Sequence, residues 1–434
     1  MRLAEKYAII GVDLWNSDGV KKNCDVHVEN GRVTSIVENG AQDYLGEKIL
    51  ASGKVLIPGG VDPQVHLRTP GQPEKETPET GCKAAVRGGL TAMLTMPNTN
   101  PVIDSPEVVA LTRDQLSEPE SNTGVSVAIS AAITYGQKGQ QVVDFLGLAR
   151  AGVAAFTDDG VGVVNNEHMR AAFRASADTG LPILQHCEYP GHGGNFAEGP
   201  IQRELGGKAY PPEAESEMVA RDLNLLEEFP GARYHVLHAS SAKTLDLVAR
   251  GKENGLAVTC EVSPHHLFFN NTNIDSVNTA FKMNPPLRSE EDRSALVSAL
   301  RDGICDFVAT DHAPHQAEIK SKLATAAYGT TGLETSLRCL LTLLDRGDIS
   351  MHRLVEVFST NPAKFLGLSS TEGLIAAGRP FRAVLVDKLD ELSTVTEEDL
   401  ASHSHNNCFL GSKLNGQVVS TFIENRVFEH NMSH

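Results

Sequence analysis

From residue 58 onward, short apolar runs alternate with stretches of helical period. Eight runs are legible: GGVDPQVHL (59–67), TAMLTM (91–96), VSVAISAAI (125–133), GVAAFT (152–157), PILQHC (182–187), RYHVLHA (233–239), AVTCEVS (257–263) and ICDFVATD (304–311). Between them, stretches such as SEMVARDLNLLEEF (216–229) and AKTLDLVARGKE (242–253) return an apolar residue every three or four positions, as one face of a helix does. Strands that alternate with helices predict a parallel sheet. Eight such units in about 310 residues is the size of a (β/α)₈ barrel with some insertions.

The two ends have a different pattern. AIIGVDLW, CDVHVENGRVTSIV and KVLI near the start, and RAVLVD and GQVVSTFIENRVF near the end, are extended runs with little helix between them. Asn30-Gly31 is a hairpin signal, because both central positions of a tight hairpin turn need positive φ. The expected organisation is a small β-sandwich-like domain formed by residues 1–57 and 370–434. An α/β TIM barrel, 58–369, is inserted between its halves.

Charge and cysteine usage narrow the function. With 38 Lys plus Arg against 55 Asp plus Glu, a formal net charge of −17 argues against a general binder of nucleic acid or anionic membrane, since such surfaces need excess positive charge. No segment reaches the roughly 18 uninterrupted apolar residues of a membrane span. The seven cysteines form no C-x-x-C pair, so a disulfide framework is not expected and a reducing cytoplasm is. The 16 histidines are the unusual feature of the composition, because imidazole is both a metal ligand and a proton carrier near neutral pH.

A barrel of this kind carries its active site at the C-terminal ends of its strands. Those ends hold Gln64, His66 and Arg68; Asn98; Asp158 and Asp159; His186; His238; His265 and His266; and Asp311, His312 and His315. Imidazoles and carboxylates converging on one mouth are the donor set of a divalent cation such as Zn²⁺. Outside the barrel, His403 and His405 read as a solvated polar loop, and His430 and His434 as a frayed tail.

The motifs GGVDPQVHLRTPG, AFTDDGVGV, LQHCE, HVLHAS, EVSPHHL, KMNPPLR, ATDHAPH, GTTGLET and NPAKFLGL, in this order over nearly the whole chain, resemble the type I dihydroorotases of the cyclic amidohydrolase superfamily. The resemblance implies a metal-dependent barrel that forms or opens the cyclic amide of dihydroorotate in pyrimidine synthesis, acting on a small molecule. It makes His66 a ligand of a first metal and Asp311 both a ligand and the general acid/base. Asp159, with Asp158 as the alternative, would bridge to a second metal held by His186 and His238, the metal being Zn²⁺. Related hydantoinases and allantoinases place a carbamylated lysine at the bridge, where this chain has carboxylates.

The substrate of such an enzyme carries a carboxylate, which the planar fork of Arg68 can bind through two parallel hydrogen bonds. Asn98, Asn284 and His315 would complete the substrate site, with Tyr328 and Gly329 placing backbone over the ring. The family also implies a homo-oligomer and, for some members, assembly with aspartate transcarbamoylase.

One position departs from the family pattern. The first strand of such enzymes ends in His-x-His, and this one reads Gln64-Val65-His66. An amide oxygen is a harder and weaker donor than imidazole, so one strong bond to the first metal is lost. The chain then reads as an active enzyme with one tight and one weak metal, as a catalytically impaired subunit kept for assembly, or as carrying an introduced substitution. Retention of Arg68, Asn98, Asn284, Asp311 and His315 favours the enzyme.

Overall fold

The computed structural model describes residues 1–38, 44–368 and 373–430. The first five strands are β1 (Lys6–Asn16), β2 (Gly19–Glu29), β3 (Arg32–Glu38), β4 (Glu47–Leu50) and β5 (Val55–Pro58). Asn30 and Gly31 join β2 to β3 with φ of 51° and 73°, as a tight hairpin requires. The eight barrel strands are β6 (Gly60–Val65), β7 (Leu90–Thr95), β8 (Ser126–Ala131), β9 (Ala155–Thr157), β10 (Ile183–Gln185), β11 (Tyr234–Val236), β12 (Val258–Val262) and β13 (Phe307–Val308). Seven lie within their apolar runs, and β7 begins one residue before its own. They pair in parallel, in chain order, and a parallel bridge between Val65 and His312 brings the last strand round to the first. β14 (Arg382–Thr394), β15 (Lys413–Ile423) and β16 (Arg426–Glu429) return to the strands of the N-terminal segment.

The strands from both ends form a mixed sheet in the order β16-β15-β14-β5-β1-β2-β3, with β4 on β1, so β14 pairs antiparallel with β5 across the sequence. The two-residue period of these strands gives the sheet two faces. Val55, Ile57, Val384 and Val386 pack into the same core as the barrel's outer layer. Leu56, Ala383 and Leu385 face a separate core with Tyr7, Phe381 and Phe422. The expected boundary between residues 369 and 370 lies outside the described residues, as does His434.

Within the barrel, alternate residues point inward. Val61, Ala92, Leu94, Ala155, Leu184, Leu237 and Phe307 fill the interior, and Phe365 from the helix Asn361–Phe365 packs with them. Parity changes along β6, where the pairing register with β7 shifts between Asp62 and Val65. Val61 packs inside, whereas Val65 and Leu67 join the outer core, which turns Gln64 and His66 inward. The Asp62 carboxylate accepts from the Gln64 and Thr310 N–H groups at 3.2 and 3.1 Å and from Thr310 Oγ1 at 2.6 Å, fixing this irregular stretch against the last barrel strand.

The tail expectation for His430 is corrected. Its N–H donates to the Val419 carbonyl at 2.9 Å and its ring lies 3.3 Å from Thr421 Oγ1; strand pairing of β16 on β15 carries the chain into a held position. His403 and His405 are exposed, but their loop is anchored: Ser402 and Ser404 are buried, and the His403 N–H donates to the buried Glu76 at 3.0 Å. No described helix is long and apolar enough to cross a membrane. All seven cysteines are buried and free.

Candidate metal centre

The strand ends bring Asp159 to the middle of the barrel mouth. The two adjacent aspartates separate because the first is consumed locally: Asp158 accepts from the Ile133 and Thr134 N–H groups at 2.8 and 3.1 Å and from the Thr134 hydroxyl. Asp159, 2% exposed, then faces three imidazoles. Its Oδ2 lies 3.2 Å from His66 Nε2, and its Oδ1 lies 3.6 Å from both His186 Nδ1 and His238 Nε2. His186 Nδ1 and His238 Nε2 are 3.0 Å apart, and His66 Nε2 is 3.1 Å from Asp311 Oδ1. Two donor sets result, His66–Asp159–Asp311 and Asp159–His186–His238, sharing Asp159.

These sets fit divalent cations. Bonds of about 2.0–2.1 Å in a tetrahedral site separate ligand atoms by roughly 3.3 Å, and the distances here run from 3.0 to 3.6 Å. Orientation agrees as well. His66 Nδ1 lies 2.8 Å from Asn98 Oδ1, an acceptor, so Nδ1 carries a proton and Nε2 is the nitrogen turned to the two carboxylates, where a cation can take the place of its proton. Gln64 is fully buried beside this set; its Nε2 donates to Asp159 Oδ2 at 3.3 Å and its Oε1 has no partner.

Burial disfavours charge on Asp159 and His186, yet their contacts outweigh it. Burial pushes the Asp159 carboxyl up, but hydrogen bonds from His186, His238 and His66 hold it well below the usual carboxylate range. Burial pushes His186 down, and Asp159 and Glu188 override it to about 9. The backbone is constrained here too: Arg68, His238 and Asp311 occupy the left-handed region, with φ of 57°, 32° and 47°. Non-glycine residues seldom adopt this conformation, which costs on the order of 1–3 kcal/mol and concentrates at functional sites.

A cavity of about 350 Å³ opens onto these groups, lined among others by Arg68, Asn98, Asn284, His315, Tyr328 and Gly329. The eleven residues to which the resemblance gives metal or substrate roles, with Asp159 as the bridging aspartate, therefore all line one cavity. Arg68 is 6% exposed, its Nε has no partner, and one terminal nitrogen lies 3.4 Å from His315 Nε2. Burial lowers its guanidinium to about 10, so it stays charged at neutral pH. His315 Nε2 donates to the Tyr328 carbonyl at 2.7 Å; burial, then the Arg68 charge, pushes the ring down to about 3, and it is neutral. Asn284 Nδ2 donates to Glu188 Oε2 at 2.8 Å.

Several strand-end histidines stay out. His266 meets the Pro285 carbonyl at 3.0 Å, and His312 pairs with Glu76 at 3.1 Å, holding the loop after β6. Glu188 was not anticipated. It lies 3.4 Å from His186 Nε2 and holds Asn284, and its only signal in the sequence is an acid two residues after a candidate ligand. Asp62 was also missed, because its partners Gln64 and Thr310 come together only through the parity change in β6.

A family model described as the amidohydrolase family matches residues 55–427. The chain is 39% identical over 428 residues to a dihydroorotase of Lactiplantibacillus plantarum, covering 96% of this chain and 97% of that protein. It is 40% identical over 425 residues to a dihydroorotase of Brevibacillus brevis, covering 96% and 97%. Among solved structures it resembles the L-hydantoinase (dihydropyrimidinase) from Arthrobacter aurescens, with a TM-score of 0.87, 25% identity and coverage of 98% and 96% of the two chains. Sequence likeness is thus higher to dihydroorotases than to the hydantoinase that shares the fold. The family is metal-dependent, and both donor sets suit that chemistry. The chain belongs to the amidohydrolase family and, within it, to the dihydroorotases.

Proposed function

We propose that this mouth binds two Zn²⁺ ions and interconverts N-carbamoyl-L-aspartate and L-dihydroorotate. The observation that carries the reading is the position of Asp159 between three imidazole nitrogens, with a buried, charged Arg68 on the same cavity. His66, Asp159 and Asp311 would hold one cation, and Asp159, His186 and His238 the other. Divalent cations there supply positive charge that polarises a carbonyl and lowers the pKa of a water from about 16 to about 7.

The chain's own groups do the rest. Arg68 binds the ring carboxylate through its unpartnered donors and fixes the orientation of the amide. For ring opening, water oxygen bonds to the amide carbon, Asp311 takes the water's proton, and the same proton passes to the ring nitrogen as the C–N bond breaks. Cyclisation runs these transfers backwards. Asn98 contributes through His66, leaving its Nδ2 for the substrate, and the Tyr328–Gly329 backbone covers the ring.

Purified, zinc-loaded protein should open dihydroorotate, and should act far less well on uncharged hydantoin or dihydropyrimidine rings. A second reading rests on Gln64: a chain with impaired catalysis that serves as a subunit, for instance of aspartate transcarbamoylase. No turnover above background, with turnover restored in Gln64→His, would favour it. Homo-oligomer formation is carried to this chain on the family resemblance, and a cytoplasmic location rests on the seven unpaired cysteines; sedimentation of the purified chain tests the first.

A further inference from the structure

Lys320 lies on a short 3₁₀ turn (Glu318–Lys320) and is 4% exposed. A buried ammonium is costly unless its donors are met. Its Nζ donates to three backbone carbonyls, those of Ala327 and Gly329 at 2.9 Å and Lys282 at 3.1 Å. The titratable groups that face it are Cys408, Lys282 and, on the cavity wall, His315, none of them a carboxylate. The lysine therefore spends its hydrogen-bonding capacity on the course of the main chain.

That main chain belongs to the metal cavity. Ala327 and Gly329 flank Tyr328, whose carbonyl accepts from His315, and all three line the cavity. Lys282 stands two residues before Asn284. The Gly329 N–H also donates to the Lys282 carbonyl at 2.9 Å, and Lys282 Nζ lies 4.9 Å from the centre of the Tyr328 ring. There is no slack beneath: a Cβ on Gly329 would fall 2.6 Å from Ala313 Cβ.

We infer that Lys320 is a positioning residue, pinning the Ala327–Gly329 wall to the segment that carries Asn284 and so setting how tightly the cavity holds the substrate ring. The identity of that ring rests on the dihydroorotase reading; the pin does not. Burial pushes the Lys320 ammonium down to about 7, so the pin loosens as pH rises through neutrality.

The test uses the full, metal-loaded chain with Lys320→Met and Lys320→Arg. In Lys320→Met, KM for dihydroorotate rises about 10-fold or more, while kcat stays within about 3-fold and metal content is unchanged. The wild-type KM rises between about pH 6 and pH 8.5, and the Met variant loses that dependence. Lys320→Arg stays charged across this range, so its KM is flat with pH, and it shows a smaller rise in KM than Lys320→Met. Hydrogen exchange of the Ala327 and Gly329 amides in the wild type, corrected for intrinsic rates, becomes faster at the higher pH; this measurement needs neither a variant nor a substrate. An unchanged KM in folded Lys320→Met, a loss of kcat or metal with KM held, or protection independent of pH overturns the inference. If the wild type fails to turn over dihydroorotate, the functional reading fails alone, and the exchange measurement still decides the pin.

Discussion

Gln64 Nε2 lies 3.3 Å from Asp159 Oδ2, on the carboxylate oxygen that also faces His66, while the Gln64 Oε1 is buried without a partner. The residue at position 64 thus touches the carboxylate shared by both donor sets, and its amide leaves one polar atom unsatisfied in a place closed to water. An imidazole there would add a strong nitrogen donor to the His66 set. Gln64→His should therefore raise affinity for the first cation by about 10-fold or more. Competition with a chelator measures it; an unchanged affinity would mean that Gln64 is already as good a neighbour to the cation as histidine.

Arg68 is asked to bind a carboxylate in a buried site. Charged hydrogen bonds contribute roughly 1.5–3 kcal/mol each, so Arg68→Met should lower kcat/KM for dihydroorotate by about 10²-fold or more. Metal content should not change, since Arg68 is in neither donor set. Equal kinetics in the variant would point to an uncharged ring as the substrate.

Glu188 touches His186 on the nitrogen away from Asp159, at 3.4 Å, and is itself held by Asn284. Such outer partners orient a ligand ring and raise its basicity. Glu188→Gln preserves volume and removes the charge, and should weaken the second cation by roughly 10 to 100-fold while leaving the first in place. Stepwise metal release under chelation would resolve the two.

The strands were legible because each barrel run is apolar, short and bounded by turn residues, and the hairpin at Asn30-Gly31 was legible because few residues tolerate its backbone. The choice between Asp158 and Asp159 was left open by the residues themselves. The Ile133 and Thr134 amides occupy the Asp158 carboxylate and leave that of Asp159 facing the imidazoles, which favours Asp159. Glu188 was hidden for a similar reason, since Asn284 lies 96 residues away in sequence. Lys320, in a polar segment, carries no sequence mark of burial; only the fold brings three carbonyls to its ammonium.

Removing the metal exposes a pH dependence with a definite sign. In the metal-free chain His186 titrates at about 9 against an ordinary value of 6.5, so its contribution to stability is complete below pH 6.5 and is lost as pH rises through about 9. Asp159 is displaced the other way, so its contribution is present above the ordinary carboxyl range and is lost in acid. A cation takes the place of the proton on His186. The difference in Tm between loaded and chelated protein should therefore widen from about pH 6.5 to about pH 9. Scanning calorimetry at several pH values measures it, and a constant difference would contradict the arrangement around Asp159.

The most direct test is turnover of dihydroorotate measured against zinc bound per chain, as chelated protein is reloaded stepwise. The structure predicts no ring opening in the metal-free chain, activity that rises as the sets around Asp159 fill, and loss of that activity in Asp311→Asn at equal metal content. Turnover in the metal-free chain, or full occupancy without turnover, would contradict it.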